Sequence, residues 1–168
     1  MRFWKNGLPI LIKNGFLKMT ALKTWISASR LRTLPLSISG ALVGSSYAYF
    51  LGFFDGFIFI LITLTTLSFQ ILSNLANDYG DGIRGTDNPS RIGPERAIQS
   101  GAVSPKQMRL AIILNAFIST GLVIALIWLS FGVEHLVKSI IFLLLGGLSI
   151  WAAISYTIGN TAYGYRAC

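Results

Sequence analysis

Four largely apolar stretches, at about residues 34–54, 57–76, 110–131 and 136–155, run through this 168-residue chain and leave it few ways to fold. Each holds roughly 20 residues, and at 1.5 Å of rise per residue a helix of that length crosses about 30 Å of hydrocarbon. Backbone N–H and C=O groups find no water in lipid, so a spanning segment must satisfy them internally, as a helix does. The expected fold is all-α: a polytopic membrane helical bundle with four transmembrane helices. A composition 53% hydrophobic and 12% charged, with mean hydropathy +0.63, agrees and sets aside an ordinary soluble domain. Gly40, Gly44, Ser45, Gly146, Gly147 and Ser149 are small residues within the spans that permit close helix contact.

The net charge of +8 suggests nucleic acid only until the charges are located. Seven of the 14 basic residues (Arg2, Lys5, Lys13, Lys18, Lys23, Arg30, Arg32) precede the first span, and five (Arg84, Arg91, Arg96, Lys106, Arg109) lie between the second and third. The turns near Asp55 and His135 hold Lys138 alone. Basic residues concentrate on the cytoplasmic side of membrane proteins, so the N-terminus, the 77–109 loop and, after four crossings, the C-terminus are expected to be cytoplasmic. The charge serves topology, and no nucleic-acid partner is expected. Residues 1–33 read as a basic cytoplasmic segment, with 1–18 an upstream extension before a second start at Met19 and no cleaved signal peptide. Residues 34–168 carry the membrane domain. Cys168 is the single cysteine, which excludes an intrachain disulfide and a thiolate metal site.

Acid is concentrated where the second apolar stretch ends. Gln70, Asn74, Asn77/Asp78 and Asp81 fall at i, i+4, i+7/i+8 and i+11, one face of a continuing helix, and Asp87 follows. Gly80, Gly82 and Gly85 are expected to break the helix soon after Asp78. Carboxylates at the edge of a bilayer are costly unless they face water, a counter-ion or a ligand. Hard oxygen donors with no Cys or His nearby suit Mg²⁺, which binds through one or two carboxylates plus substrate phosphates. The loop from Thr86 to Arg96 carries both signs: acids to hold Mg²⁺ on a diphosphate, and Arg91 and Arg96 to grip its free oxygens, which guanidinium forks match in shape. The competing reading is a solvated turn whose charges pair with one another, each exposed pair being worth about 0–1 kcal/mol. Three aspartates within ten residues, continuous with an amide-rich helical stripe, favour the ligand site.

These residues resemble a known family. Asn77-Asp78-Tyr79-Gly80-Asp81, with Asn74 before it and Gly85-Thr86-Asp87 after it, is similar to the first aspartate-rich motif of the UbiA superfamily of membrane prenyltransferases. Ser73-Asn74-Leu75-Ala76 leading into that motif, Arg91-Ile92-Gly93-Pro94, and Arg30-Leu31-Arg32-Thr33-Leu34-Pro35-Leu36-Ser37 resemble the branch that prenylates 1,4-dihydroxy-2-naphthoate in menaquinone biosynthesis. Gly85 stands where the broader superfamily places a third acid and Asp87 takes its role, as in the naphthoate branch rather than the ubiquinone type. The resemblance runs from about Thr20 to Tyr165. It implies a bundle of about nine spans in the cytoplasmic (inner) membrane with two facing aspartate-rich motifs, of which this chain carries the first. The chain is therefore expected to be an N-terminal half, inactive alone.

The resemblance also implies a chemistry. Mg²⁺ neutralises the diphosphate of a polyprenyl diphosphate, the allylic C–O bond ionises, and the naphthoate ring attacks the carbocation and then loses its carboxylate. The implied catalytic carboxylates are Asp78, Asp81 and Asp87, which with Asn77 hold the metal directly or through water; Asn74, Arg91 and Arg96 serve the substrate. Tyr79 and Tyr156 read as interface packing rather than as rings flanking the cation.

Asp78-Tyr79-Gly80-Asp81-Gly82 also matches the opening of the CDP-alcohol phosphotransferase signature, but Arg84-Gly85 follows where that family has an Ala-Arg pair, and its two later aspartates are missing. A non-enzymatic transporter or assembly subunit would need acids within its spans, whereas here they gather at the membrane edge beside arginines. The topology is directly testable. With Cys168 replaced, a cysteine at Ser90 should resist an impermeant external thiol reagent while one at Gly132 reacts; the reverse pattern would overturn the orientation.

Overall fold

A computed structural model describes residues 22–86, 96–160 and 162–166. Among them the elements are helical throughout: α1 (22–28), a 3-10 turn at Leu31–Thr33, α2 (Leu34–Phe50), α3 (Gly56–Arg84), α4 (Pro105–Phe131), α5 (Leu136–Ser155) and a 3-10 turn at Tyr163–Tyr165. The all-α expectation holds. The helices α3, α4 and α5, of 29, 27 and 20 residues, are long and apolar enough to cross a bilayer. The first expected span is shorter than predicted, because α2 ends after 17 residues at Phe50 rather than near residue 54. Its rise of about 26 Å is at the lower limit for a spanning helix. Gly52 stops it: with φ 78 the backbone turns left-handed, and the N–H groups of Gly52 and Phe53 fold back onto the carbonyls of Tyr49 (3.0 Å) and Ala48 (2.8 Å).

Asp55, the lone acid of the following turn, caps α3 by accepting from the N–H groups of Phe57 (2.8 Å) and Ile58 (3.0 Å). At the start of α4, Ser104 and Gln107 satisfy each other's backbone N–H in a capping box, and Pro105 takes the first turn, where its missing N–H costs nothing.

The expected break after Asp78 does not occur. Helix α3 continues through Gly80 and Gly82 to Arg84 and stops only at Gly85, where φ is 70. The reason is packing. A Cβ at Gly80 would lie 2.5 Å from both Cβ and the carbonyl oxygen of Thr157, and one at Gly82 would lie 2.6 Å from Cγ2 of Ile98. These two glycines thin the helix so that the chain after α5 and the loop before α4 can lie against it. Of these three glycines only Gly85 uses the residue's conformational freedom.

Helix α3 is the hub, in contact with α2, α4 and α5. Buried Leu72 and Leu75 of α3 with Met108 and Ile112 of α4 join Ala28, Ala97 and Val103 in one cluster where α3 ends and α4 begins. Elsewhere the helices expose broad apolar surfaces, including Phe50, Phe57, Phe117 and Leu144, as suits contact with lipid. Deeper along the bundle, α3 and α4 are also tied by polar groups: Ser68 and Ser119 hydroxyls lie 2.7 Å apart, and each is 3.2 Å from the Asn115 amide oxygen that accepts from them. Such interhelical bonds contribute about 0.6–2 kcal/mol each in apolar surroundings.

The close approach at Gly80 gives a stability test in detergent. Gly80→Val should cost about 1–3 kcal/mol, because the neighbouring atoms are backbone and Cβ and cannot swing aside. Gly40→Ala, which meets nothing within 4 Å, should change stability by no more than about 0.5 kcal/mol. Denaturant midpoints of the two variants check the difference.

Candidate functional site

Asp78 and Asp81 lie one turn apart near the end of α3, and two successive residues of the loop before α4 clasp them. Arg96 places Nη1 2.7 Å from Oδ2 of Asp81, and the N–H of Ala97 donates to Oδ2 of Asp78 at 3.3 Å. The loop is held there by burial of Ala97 in the core and by two backbone bonds, Ser100 N–H to Arg96 (2.9 Å) and Val103 N–H to Ala97 (3.0 Å). Gly82 leaves room for Ile98 to follow.

The other oxygen of Asp81, Oδ1, accepts from the Tyr165 hydroxyl and from the Thr86 hydroxyl at 3.3 Å. Burial pushes the Tyr165 phenol up to about 12, reinforced by its bond to Asp81 and that carboxylate's charge, against smaller opposing effects of Thr86 and Arg84. Tyr165 therefore stays protonated, and stays a donor, at physiological pH. Its ring lies 4.5 Å beneath the Arg84 guanidinium, which also donates to the Gly159 carbonyl at 2.5 Å. The segment after α5 is fastened to α3 by these contacts.

Asp78 is 2% exposed and lines a cleft of about 430 Å³ with Ser27, Arg30, Arg32, Thr33 and Arg96. Among the described residues its lining carries three arginines and one carboxylate, with Arg96 paired to Asp81, a balance that favours anions. Its far wall is the turn between α1 and α2. Arg30 there adopts φ 50, a left-handed conformation that costs a non-glycine residue about 1–3 kcal/mol. The turn is held by Arg30 N–H to Ser27 (3.0 Å) and by the N–H and hydroxyl of Thr33, both 2.9 Å from the Arg30 carbonyl. Asn74 binds it to α3: its amide nitrogen donates to the Ser29 carbonyl at 2.9 Å and to the Thr33 hydroxyl at 3.4 Å. Gln70 completes the line, donating to Asn74 at 3.3 Å and accepting from Ser37 at 2.7 Å.

The predicted polar stripe is thus continuous along α3 but serves three neighbours. Gln70, Asn74 and Asp78 address the turn before α2 and the cleft it walls. Asn77 faces the chain after α5, where its amide oxygen accepts from the Thr157 hydroxyl at 3.2 Å, a hydroxyl that also lies 2.9 Å from the Ala76 carbonyl. Asp81 sits between Arg96 and Tyr165. Asp87 and Arg91 lie outside the described residues. The structure adds Arg30, Arg32, Thr157 and Tyr165 to the predicted set. Arg30 and Arg32 left a trace in the sequence, being arginines where the preceding basic residues are mostly lysines, and arginine is the side chain suited to phosphate and carboxylate recognition. For Thr157 and Tyr165, distant in sequence, no local pattern marks the contact.

Among the described residues no group of three acidic, His or Cys side chains converges. Asp78 and Asp81 nonetheless supply two hard carboxylates one turn apart, the number that Mg²⁺ takes from protein when substrate phosphates complete its shell. The donor set fits that ion.

The model of the UbiA prenyltransferase family matches residues 37–166. Among curated proteins, the 1,4-dihydroxy-2-naphthoate octaprenyltransferase of Escherichia coli (strain K12) is 42% identical over 143 residues, which is 85% of this chain and 46% of that protein. The protein of the same name from Haemophilus influenzae is 41% identical over 86% of this chain and 47% of its own length, and that from Mycobacterium tuberculosis 32% identical over 88% and 47%. The chain spans about half the length of these relatives. No solved structure matches it.

Because Asp81 joins loop and C-terminal segment, its contacts should be energetically coupled. In a double-mutant cycle, Asp81→Asn and Tyr165→Phe should be non-additive in unfolding free energy by about 0.5–3 kcal/mol. Simple additivity would mean that the hydroxyl and carboxylate do not interact.

Proposed function

The chain belongs to the UbiA prenyltransferase family, and from that premise we propose that the protein transfers a polyprenyl group from polyprenyl diphosphate to 1,4-dihydroxy-2-naphthoate, with loss of the ring carboxylate, to give demethylmenaquinone. The acceptor is taken from the names of its relatives, and the activity is proposed for a protein of their full length. The observation that carries the reading is the clasp: two aspartates one turn apart, fixed by successive loop residues beside a cleft walled with arginines. With the family shown, the phosphotransferase and transporter readings of the same motif are set aside.

Each residue has a definable part. Arg30, Arg32 and Arg96 draw the diphosphate into the cleft and bind its oxygens, where guanidinium geometry allows paired hydrogen bonds. Asp78 and Asp81, with Asn77 and Asp87, would hold Mg²⁺ directly or through water. When bound there, Mg²⁺ would supply positive charge to offset what builds on the departing diphosphate as the allylic C–O bond breaks. Arg96 exchanges Asp81 for phosphate as substrate enters, so neither partner of the present ion pair is left uncompensated. Tyr165 keeps Asp81 oriented, and Asn74 keeps the turn bearing Arg30 and Arg32 against α3. The electron-rich naphthoate ring then attacks the allylic carbon. On the topology expected from the basic residues, this cleft opens on the cytoplasmic face of the inner membrane.

A chimera fusing this chain to the C-terminal half of the Escherichia coli relative tests the proposal in membrane fractions. It should prenylate dihydroxynaphthoate when given polyprenyl diphosphate and Mg²⁺, lose activity with EDTA, and fall by at least about tenfold with Asp81→Ala. Near-normal turnover of that variant would sink the assignment of Asp81.

A further inference from the structure

A second hollow, of about 420 Å³, lies among the start of α4, the end of α3 and the end of α5, and shares no residue with the arginine cleft. On α4 it is lined by Arg109, Ile112, Ile113, Ala116, Phe117 and Thr120. From Arg109 these fall at i+3/i+4, i+7/i+8 and i+11, a single helical stripe about 16 Å long. That length is close to one leaflet, half of the roughly 30 Å hydrocarbon core. Ile154 of α5 lines the hollow as well, and Tyr79 joins it from the end of α3 that adjoins the start of α4, where Arg109 also lies. The slot faces outward, with Phe117 74% exposed.

Its polar end is cationic. Arg109 forms no ion pair among the described residues, the first turn of α4 holds no acid, and Lys106 stands one turn earlier. An apolar slot one leaflet deep, headed by a guanidinium with no ion pair among the described residues, matches a molecule with an anionic head and a long hydrocarbon tail. We propose that this slot binds one acyl chain of an anionic phospholipid, drawn from the leaflet on the side of the 77–109 loop, with the lipid phosphate held by Arg109. The Tyr79 ring, amphipathic and at the same depth, packs beside the glycerol region.

Native mass spectrometry of the 168-residue chain, released from detergent containing equal mole fractions of phosphatidylglycerol and phosphatidylcholine with identical acyl chains, tests the proposal. The protein should retain the anionic lipid over the zwitterionic one by about fivefold, the factor one cationic side chain contributes near an anionic surface. Arg109→Gln should bring the two lipids to parity, and Arg109→Lys should keep most of the preference. Ala116→Trp and Ile113→Trp, which fill the slot, should reduce retention of both lipids while the helical circular dichroism is unchanged. The proposal is overturned by an undiminished preference in Arg109→Gln, by undiminished retention in both tryptophan variants, or by a lipid-free dimer that Ala116→Trp dissociates, which would make a second copy the occupant.

Discussion

Two carboxylates at the edge of an apolar bundle set the terms for the rest of this structure. Removing a charged group from water costs several kcal/mol unless partners replace its hydration. Asp78 and Asp81 obtain those partners from outside their own helix: Arg96 and the Ala97 N–H from the loop before α4, and Tyr165 from the chain after α5. Those contacts require both segments to press against α3, and that pressure explains glycine at 80 and 82, where any side chain would collide with Thr157 or Ile98. It also explains why the buried apolar cluster gathers at this end of the bundle. Toward the other end the described helices expose apolar faces and are tied by the Ser68, Asn115 and Ser119 contacts.

The ion pair between Asp81 and Arg96 suits the proposed site, whose substrate is charged. Both side chains are largely buried, so leaving either alone would be costly, and pairing keeps each in place at the cleft. In the proposed reaction each exchanges one opposite charge for another. The neutral Tyr165 phenol fits the same logic, since a phenolate beside Asp81 would add repulsion where a donor is needed.

Much of this was legible in the sequence because it follows from periodicity and charge. The 3.6-residue spacing of Gln70, Asn74, Asp78 and Asp81 placed them on a shared face, and apolar run length matched the bounds of α5, whereas α4 begins at Pro105 rather than near 110 and α3 runs on to Arg84 rather than ending near 76. The break predicted soon after Asp78 from Gly80, Gly82 and Gly85 comes only at Gly85, since the sequence shows a missing side chain but not the neighbour it makes room for. Likewise α2 was read too long, because Phe53 and Phe54 continue the apolar run after Gly52 has already turned the backbone. Arg30 and Arg32 were read as topological charge, a role that gives no hint of the left-handed turn bringing them to the cleft. Contacts that join distant segments, such as Tyr165 to Asp81 or Ser68 to Asn115 and Ser119, have no one-dimensional pattern.

The central claim is that Asp78 and Asp81 bring a divalent cation and a diphosphate together in the cleft that Arg96 lines. Electron–nuclear double resonance on the chimera, with Mn²⁺ replacing Mg²⁺ and an unreactive prenyl diphosphate analogue bound, reads that juxtaposition through coupling between manganese and the analogue's phosphorus nuclei. The account predicts a clear phosphorus coupling in the parent protein and its loss when Asp78 and Asp81 are both changed to asparagine. An unaltered coupling in that double variant would contradict it.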